Sequence, residues 1–376
     1  MNYIDQQEEL EDLCKSLEQE KIIGFDTEFI RETTFVPVLC LMQISTTKDI
    51  YVIDPLEIDI SSLIKILTNP DILKIMHSSV QDIDVFYKNF EIIPKPIFDI
   101  QIAASFLGYG DSISYAKLVK KLTGAAICKE SKLTNWQLRP LNEKQISYAA
   151  NDVKYLHEMH ETLLNKLEEE ERLAWVDEEH ENLYTLDSYY LDPELAWKRV
   201  SQNREIPFFL NYLKSFAKYR EELAVQNDRP RRFIIRDEVL VRLAKLQPKH
   251  QEDLNKDRVL KKLLPKNLVS DLIYLSNEVR KEKEELVVPN KHKLSTSKEL
   301  LSDLLKLYLK YVSQHYKIAL KNIARTRDID NFLNDEPVKF TSGWRNDVYG
   351  KVAAEIVAGK KMLVVEEGKL AIKDTP

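Results

Sequence analysis

The chain has 376 residues, which is more than one domain usually requires, and its 44% hydrophobic and 31% charged residues are typical of a folded protein. Its three cysteines, Cys14, Cys40 and Cys128, are odd in number and far apart, which argues against a disulfide framework and against a zinc site. No apolar run reaches the roughly 18 residues that cross a bilayer, and the acidic, polar start is unlike a signal peptide. We therefore expect a soluble, cytoplasmic protein with no membrane partner.

The net charge of −6 conceals an asymmetry along the chain. Residues 1–196 contain 18 basic and 36 acidic side chains, a net −18, whereas residues 197–300 contain 24 and 15, a net +9. An acidic half joined to a basic half suggests two tasks, because the basic half could hold a polyanion that the acidic half would repel. Two ordinary helical domains with solvated basic faces explain the charges equally well.

The first 175 residues alternate between strand-like and helix-like patterns. Apolar runs predict strands at 21–29, 35–44, 50–54, 72–77 and 97–99. Short polar links join the first three runs, so we expect those strands to be antiparallel neighbours. Periodic apolar residues predict helices at 5–20, at 58–67, from the segment 78–82 onward, at 100–107 and over most of the chain to about 175. This pattern predicts an α/β fold with a mixed sheet.

Beyond residue 190 the pattern predicts helices separated by prolines and linkers. The predicted divisions are a first domain at 1–190, a connector at 191–205, a helical module at 206–285, a linker at 286–297 and a second helical module at 298–376. Arg236-Asp237 and Arg327-Asp328 each open a predicted helix. This faint repeat suggests that the second module is a degenerate copy of the first.

Two carboxylates stand at the end of the first predicted strand, in Gly24-Phe25-Asp26-Thr27-Glu28-Phe29. Residues two apart on a strand share a face, so Asp26 and Glu28 point the same way. At roughly 4 Å their repulsion costs about 1–4 kcal/mol, and a divalent cation that prefers oxygen ligands would relieve it. An isolated pair of this kind is more often solvated, so the metal interpretation depends on further carboxylates downstream.

Two such carboxylates follow. Asp82 comes at a strand-to-helix step, where α/β sheets place their ligands, although taken alone it is more simply a helix-start aspartate stabilised by the dipole. Asp152 follows Tyr148 by four residues on a predicted helix, so both lie on one face. Alone, Asp152 would be a surface residue and Tyr148 a half-buried core residue. Their joint appearance with the first pair favours a metal site.

In this order the motifs resemble those of the ribonuclease D family, in the DEDD superfamily of 3′→5′ exonucleases and in the subclass with a tyrosine in the last motif. The matching stretches are Asp26-Thr27-Glu28-Phe29, His77 with Asp82, Phe98-Asp99-Ile100, and Tyr148-Ala149-Ala150-Asn151-Asp152-Val153. The segment around Thr134-Asn135-Trp136 is also similar, although Asn135 stands where an aspartate is usual. The resemblance implies a ribonuclease H-like α/β exonuclease domain with a mixed sheet, followed by two all-α modules. Phe216–Ala224 and Arg236–Leu240 resemble the helical nucleic-acid-binding module of this family and some helicases.

The resemblance implies a 3′→5′ exoribonuclease that uses two divalent ions, Mg²⁺ or Mn²⁺, and releases nucleoside 5′-monophosphates. Asp26, Glu28 and Asp152 would bind the first ion, and Asp26 would bridge to a second ion near Asp82. Two ions about 3.5–4 Å apart can activate water and stabilise the leaving oxygen. Tyr148 would orient the attacking water, since its reference pKa of about 10 makes it a poor base at pH 7. The family suggests tRNA precursors as the RNA, and no obligate protein partner is evident.

Four further residues are candidates for substrate binding. Phe29 could stack on the terminal base or pack in the core, and Gln43 could bond to the substrate or be structural. Lys129 and Arg139 could contact phosphate. A grip on RNA by the basic first module is predicted for Lys214, Lys218, Arg220, Arg229, Arg231, Arg232, Arg236, Arg242 and Lys245.

Two alternatives stay open. The four carboxylates do not distinguish RNA from DNA, so a 3′→5′ DNA exonuclease is the first. The second is a nucleic-acid-binding adaptor without catalysis, against which the complete set of carboxylates argues. If the helical modules hold the RNA, removal of residues 206–376 is expected to weaken binding of structured RNA more than binding of short single strands.

Overall fold

A six-stranded mixed sheet organises the N-terminal half of the chain in the computed structural model, which describes residues 1–127, 134–186, 189–190, 192–200, 206–286 and 294–376. Its strands lie in the order β1-β4-β3-β2-β5-β6. In chain order they are β1 (Asn2–Ile4), β2 (Ile22–Ile30), β3 (Val38–Ser45), β4 (Ile50–Ile53), β5 (Leu73–Met76) and β6 (Ile97–Asp99). The predicted antiparallel pairing of the first three predicted strands is confirmed, because β2 pairs with β3 and β3 with β4 in that sense. The parallel pairing of β2 with β5 makes the sheet mixed.

Eight helices accompany this sheet in the described part of the first 186 residues. They are α1 (Gln7–Leu17), α2 (Ser61–Thr68), α3 (Val80–Phe90), α4 (Ile100–Ser105), α5 (Tyr115–Thr123), α6 (Glu143–Lys154), α7 (Leu156–Glu169) and α8 (Leu173–Asn182). Ile23 and Phe25 of β2 are buried in a core with residues of α1, α2 and α3. Since side chains alternate along a strand, the even-numbered residues of β2 face the other side, where α6 contacts β2, β3 and β4.

Gly24 permits the close approach of strands and helices at this point. A Cβ atom there would lie 2.2 Å from Ser45 Oγ and 3.0 Å from Leu156 Cδ1. Ser45 Oγ in turn donates a hydrogen bond of 3.0 Å to the carbonyl of Val153, near the end of α6. Glycine at this position therefore lets α6 and α7 pack directly against β2.

The basic region folds as a helical module with its own core. Its helices are α9 (Phe209–Gln226), α10 (Arg231–Ile234), α11 (Asp237–Leu246), α12 (Arg258–Leu263) and α13 (Val269–Val279). Within the predicted connector, Pro193–Arg199 forms a 3₁₀ helix, and its Trp197 is buried in the core of this module. The proline and polar residues of this stretch are typical of a linker. It is nevertheless ordered, because Trp197 packs into the core of the module.

The C-terminal region is mostly helical but ends in a β-hairpin. Its helices are α14 (Thr296–Tyr316), α15 (Leu320–Ile323), α16 (Thr326–Leu333), α17 (Gly343–Arg345) and α18 (Lys351–Val357), and its strands are β7 (Lys361–Glu366) and β8 (Lys369–Asp374). The expectation of an all-α second module was therefore wrong at its end. The apolar run Met362-Leu363-Val364-Val365, followed by Glu367 and Gly368, which both have positive φ in the turn, was the overlooked signal.

One hydrophobic core joins this C-terminal region to the sheet domain. Residues of α14, α16 and α18 lie in the same buried cluster as residues of α4, α5 and α7. The short strand β1 was also missed, because its three residues precede a polar helix and become a strand only by parallel pairing with β4. Both features depend on contacts between segments far apart in sequence.

Lys74 of β5 is a fully buried lysine whose ammonium group is held by backbone carbonyls. Its Nζ donates to the carbonyl oxygens of Asn69, Ile72 and Lys95 at 3.0, 2.7 and 2.6 Å. Burial lowers the pKa of Lys74 to about 7. Replacing Lys74 with Met keeps a long, unbranched side chain but leaves these carbonyl groups without their hydrogen-bond donor. The free energy of unfolding is expected to fall by about 1–3 kcal/mol. Urea denaturation measures this, with the exposed Lys48→Met as control, and equal stability of the two variants would contradict it.

Candidate active site

The end of β2 brings two carboxylates to one side of the sheet. Asp26 pairs with Gln43 of β3 and Glu28 with Leu41, and the pairing then skips Cys40, so a bulge follows Glu28 directly. Bulges are frequent beside active sites because they change the direction of a strand and re-aim its side chains. Both carboxylates are half-buried.

Helix α6 places a third carboxylate opposite these two. Oxygen atoms of Asp26, Glu28 and Asp152 all lie within 4.8 Å of one another. The helix begins with a capping box between Asn142 and Gln145, which fixes its start relative to the sheet. Three hard oxygen donors converging in this way suit a divalent cation such as Mg²⁺ or Mn²⁺.

Asp82, in the first turn of α3, lies beside this group rather than within it. It is buried, and it accepts a short hydrogen bond from the hydroxyl of Thr27, on the opposite face of β2 from Asp26 and Glu28. Burial raises the pKa of Asp82 to about 7. The sequence therefore predicted the proximity of the four carboxylates, and the structure adds that Thr27 holds the fourth.

Asp26 is the carboxylate on which the negative charges converge. Burial raises the pKa of Asp26 well above its usual value, and the charges of Asp82, Asp152 and Glu28 raise it further. Ionising all four groups at neutral pH without a cation is therefore unfavourable. The donor set and this repulsion both fit divalent ions.

Tyr148 lies one turn before Asp152 on α6, beside the carboxylates. Burial raises the pKa of Tyr148, and the charges of Asp152, Glu28 and Asp26 raise it further. Its ring lies 6.1 Å from that of Trp136, which is buried. The hydroxyl therefore stays protonated at neutral pH, where it can orient a water molecule but cannot accept its proton as a phenolate.

Asp99 is a residue that organises the site and to which the sequence analysis assigned no role. Its carboxylate accepts hydrogen bonds from the backbone N–H groups of Ser78 and Ser79, at 3.1 and 2.7 Å, in the step from β5 to α3 that leads to Asp82. It also caps α4 through the N–H groups of Gln101 and Ile102. An aspartate between a buried strand and a helix is a recognisable N-cap signal.

Two buried histidines pack behind this aspartate. His180 Nε2 accepts a hydrogen bond of 3.0 Å from the backbone N–H of Asp99, and the rings of His180 and His160 lie 5.1 and 4.6 Å from that of Phe98. Burial and, to a smaller extent, the neighbouring His157 and His180 together lower the pKa of His160 to about 4. Both histidines are therefore neutral parts of the core at physiological pH.

The pKa of His160 predicts a loss of stability in acid. Its folded-state pKa lies below the reference of about 6.5, so the unfolded state binds the extra proton and stability falls as the pH falls from about 6.5 to about 4. The expected loss is about 1–3 kcal/mol. Chemical denaturation at several pH values measures it, and His160→Gln should flatten this part of the profile. An unchanged profile in His160→Gln would contradict the assignment.

A cleft of about 1090 Å³ opens beside the carboxylates. Its lining includes Glu28, Phe29, Arg31 and Trp136, together with Arg232 of the helical module. Phe29 is half-buried and packs against the sheet core, with the Arg31 guanidinium 5.6 Å from its ring. Phe29 therefore contacts both the sheet core and the cleft, where a terminal base could stack on it.

The other predicted substrate contacts have different surroundings. Gln43 is fully buried on the same face as Asp26, and both polar atoms of its amide lack a hydrogen-bond partner among the described residues. Lys129 lies outside the described residues. Arg139 is engaged by the protein itself: its guanidinium is bonded to the carboxylate of Asp54 and to carbonyls that include those of Trp136 and Cys40. The expectation that Arg139 contacts phosphate is therefore corrected, because its donors anchor the Trp136 loop to the sheet.

The predicted basic grip is also smaller than expected. Acidic residues neutralise five of the nine side chains, which are Lys214, Lys218, Arg220, Arg231 and Arg242. Within the described residues, Arg229, Arg232, Arg236 and Lys245 form no ion pair. Spacing along helices indicates only the pair of Arg242 with Glu238, four residues before it on α11, since the other acidic partners come from other segments.

In the described residues, no helix is both long enough and apolar enough to span a membrane.

Comparison with known proteins agrees with this geometry. Residues 1–168 match the 3′-5′ exonuclease family, and residues 209–263 match the HRDC domain family. The chain is 36% identical to ribonuclease D of Bartonella henselae over 381 aligned positions, covering 99% of this chain and 94% of that one. It is also 36% identical to ribonuclease D of Zymomonas mobilis, covering 96% and 95% of the two chains.

A solved structure extends the similarity to the whole fold. The crystal structure of Escherichia coli RNase D, described as an exoribonuclease involved in structured RNA processing, superposes with a TM-score of 0.83 at 27% identity. The match covers 95% of this chain and 98% of that one, so it includes both helical regions. The sequence similarity over nearly the full length, together with the carboxylates at the end of β2 and on α6, shows that the chain belongs to the ribonuclease D family of 3′→5′ exonucleases.

Proposed function

We propose that the chain hydrolyses RNA from its 3′ end with two divalent ions and trims the 3′ ends of tRNA precursors. The exoribonuclease activity follows from membership of the ribonuclease D family. The observation that supports the metal mechanism is the convergence of oxygen atoms of Asp26, Glu28 and Asp152 within 4.8 Å, with Asp82 beside them. Such a cluster has little use without cations, because the charges of Asp82, Asp152 and Glu28 raise the pKa of the buried Asp26.

Each residue of the cluster has a proposed role. Asp26, Glu28 and Asp152 would hold one ion, and Asp26, with Asp82 nearby, would hold a second. Bound ions would supply charge neutralisation on the phosphate and a water molecule of lowered pKa. Tyr148 would donate a hydrogen bond that orients this water, and Phe29 would pack against the terminal nucleotide.

Product analysis tests this function directly. RNA and DNA of one sequence, labelled at the 3′ end, would be incubated with the protein in Mg²⁺, Mn²⁺ or EDTA. We expect stepwise release of nucleoside 5′-monophosphates from RNA in either metal and no release in EDTA. Faster hydrolysis of DNA would favour a DNA exonuclease, and release of 3′-phosphates would contradict the mechanism.

The tRNA assignment needs a separate comparison. A tRNA precursor with extra 3′ nucleotides would be compared with an unstructured RNA that has the same 3′ end. Removal that stops at the mature tRNA end would support the assignment. Equal degradation of both RNAs to short products would contradict it.

We also propose the domain division predicted from the sequence, with one change. The family matches at 1–168 and 209–263 support an exonuclease domain within 1–190 and a helical module within 206–285. Because Trp197 packs in the core of that module, we place residues 193–200 with the module rather than in the connector. The region at 298–376 would be a second, degenerate module that packs on the exonuclease domain.

A further inference from the structure

The first helical module presents an exposed aromatic ring between two arginines at the start of α10. The ring of Phe233 is 48% exposed. The guanidinium carbons of Arg232 and Arg229 lie 4.9 and 5.9 Å from its centre. We call Arg229, Arg232 and Phe233 the arginine–phenylalanine platform. Phe233 lies outside the core of the module, so its ring is accessible to a ligand.

Neighbouring residues fix this platform to the catalytic domain. The side chain of Asp228 accepts hydrogen bonds from the backbone N–H groups of Phe35 and Val36, at 2.9 and 2.8 Å, in the loop that follows β2. Arg231 lies 4.8 Å above the ring of Phe35 and forms a two-bond ion pair with the buried Glu221. The platform is therefore held at a defined position relative to the strand that carries the catalytic carboxylates.

The platform also borders the cleft that leads to those carboxylates. Arg232 lines the same cleft as Glu28 and Phe29, and its Nη2 donates to the carbonyl of Glu32 at 3.4 Å. One residue of the metal-binding cluster, Glu28, and one residue of the platform, Arg232, therefore line the same cleft. Arg31 on the cleft wall is paired with Asp84, which leaves Arg232 as the cationic side chain of the described cleft lining without an ion pair.

The adjacent arginines therefore have different tasks. Arg231 is held by Glu221 and Phe35 and acts as part of the interdomain contact. Arg232 and Arg229 are exposed and form no ion pair within the described residues. Their guanidinium groups match phosphate, and an aromatic face stacks on any base. A cation next to an aromatic ring, repeated along a groove, is the usual arrangement for single-stranded nucleic acid.

Resting on the exoribonuclease function proposed above, we propose that the arginine–phenylalanine platform holds the RNA strand on the 5′ side of the scissile bond. Phe233 stacks on an upstream base after the more distant Arg229 moves from its ring to a phosphate. Arg232 contacts a phosphate between this base and the metal-binding cluster. RNA too short to reach the platform is hydrolysed without this contact, so the platform distinguishes long single-stranded ends from dinucleotides.

The test compares two variants on two substrates. Phe233→Leu removes the aromatic face but keeps an apolar side chain, and Arg232→Gln removes one charge. Matched controls in the same module are Tyr274→Leu, at a tyrosine that is 64% exposed, and Arg258→Gln, at an exposed arginine outside the cleft lining. The substrates are a dinucleotide and an unstructured ten-nucleotide RNA, and kcat/KM is measured for each in the full-length protein.

For Phe233→Leu we expect the ratio of kcat/KM for the long RNA to that for the dinucleotide to fall about 5- to 20-fold, because one stacking contact is lost. For Arg232→Gln we measure binding of the long RNA in an Asp152→Asn background. The slope of log binding constant against log salt concentration should become shallower by about 0.7, because one phosphate contact is lost. The two controls should leave both quantities unchanged.

The outcomes separate this proposal from the proposed function. If the unaltered protein hydrolyses neither RNA, the proposed function is wrong. If it hydrolyses both, but the Phe233 and Arg232 variants behave as their controls do, the platform does not hold RNA and this inference is overturned. A substrate ratio that falls as much in the controls would overturn it too, because the effect would then be general to the module surface.

Discussion

Asp26→Asn is expected to abolish hydrolysis and, at the same time, to stabilise the protein in the absence of metal. Asp26 meets the charges of Asp82, Asp152 and Glu28, and burial disfavours its ionised form. Without bound cations the substitution removes this repulsion, which is expected to raise the free energy of unfolding by about 1–2 kcal/mol. With cations, the loss of the carboxylate that we propose both ions share should reduce kcat by about 10³-fold or more.

Thermal unfolding with EDTA, Mg²⁺ or Mn²⁺ measures the stability of the metal-free protein and its increase on binding metal, and a hydrolysis assay measures activity. In the unaltered protein the metal should raise the melting temperature, because it binds only the folded cluster. In Asp26→Asn the metal-free melting temperature should be higher and its increase on adding metal smaller. Asp49→Asn, at an exposed turn aspartate, is the control. Retained hydrolysis, or a melting temperature equally sensitive to metal, would show that Asp26 is not the shared ligand.

Trp344→Ala is expected to destabilise the whole catalytic unit. Trp344 of α17 is buried, stacks on Trp175 of α8 with ring centres 5.6 Å apart, and meets the edge of Phe106 at 5.0 Å. Its indole N–H donates to Glu179 at 3.0 Å, and Arg345 pairs with the same carboxylate. Truncating a buried tryptophan typically lowers the free energy of unfolding by about 3–5 kcal/mol.

The approach of α17 to α8 leaves little room for adjustment. A Cβ atom at Gly343, which has φ of +57°, would lie 2.2 Å from the carboxylate of Glu178. Helix α8 also carries His180, which accepts a hydrogen bond from the backbone N–H of Asp99. Loosening the contact between α17 and α8 should therefore also disturb the segment before Asp82, which Asp99 holds through Ser78.

Urea denaturation followed by activity and by circular dichroism tests this prediction. Trp344→Ala should lower the midpoint of both signals together, whereas Trp344→Phe, which keeps an aromatic ring but loses the N–H, should cost about 1–2 kcal/mol. If the activity midpoint stays unchanged while part of the helical signal unfolds early, the C-terminal region is an independent unit and the prediction fails.

The shared core also changes how RNA binding by the helical regions should be tested. Removal of residues 206–376, a natural choice from the sequence, would expose the faces of Phe106 and Trp175 that pack on Trp344. A loss of activity after such a truncation would then reflect unfolding as much as lost RNA contacts. Single substitutions at exposed positions, such as Phe233→Leu, avoid this ambiguity.

The amino-acid sequence by itself determined the chemistry of the site. Alternation along a strand places Asp26 and Glu28 on one face, and a four-residue spacing places Tyr148 one turn from Asp152. These are local rules, so they needed no knowledge of the fold. The strand order of β2, β3 and β4 followed in the same way, because short polar links allow little other than antiparallel neighbours.

Only the tertiary structure decided which basic side chains are available to bind the phosphates of RNA. Arg139 and Arg231 look like phosphate ligands in the sequence, yet Asp54 and Glu221 engage them. Arg232, next to one of them, faces the cleft. Ion pairs of this kind join residues separated by ten to eighty-five positions, and no local pattern encodes such contacts. The joining of the C-terminal helices to the exonuclease core has the same physical origin, since an apolar helix face does not specify which surface will cover it.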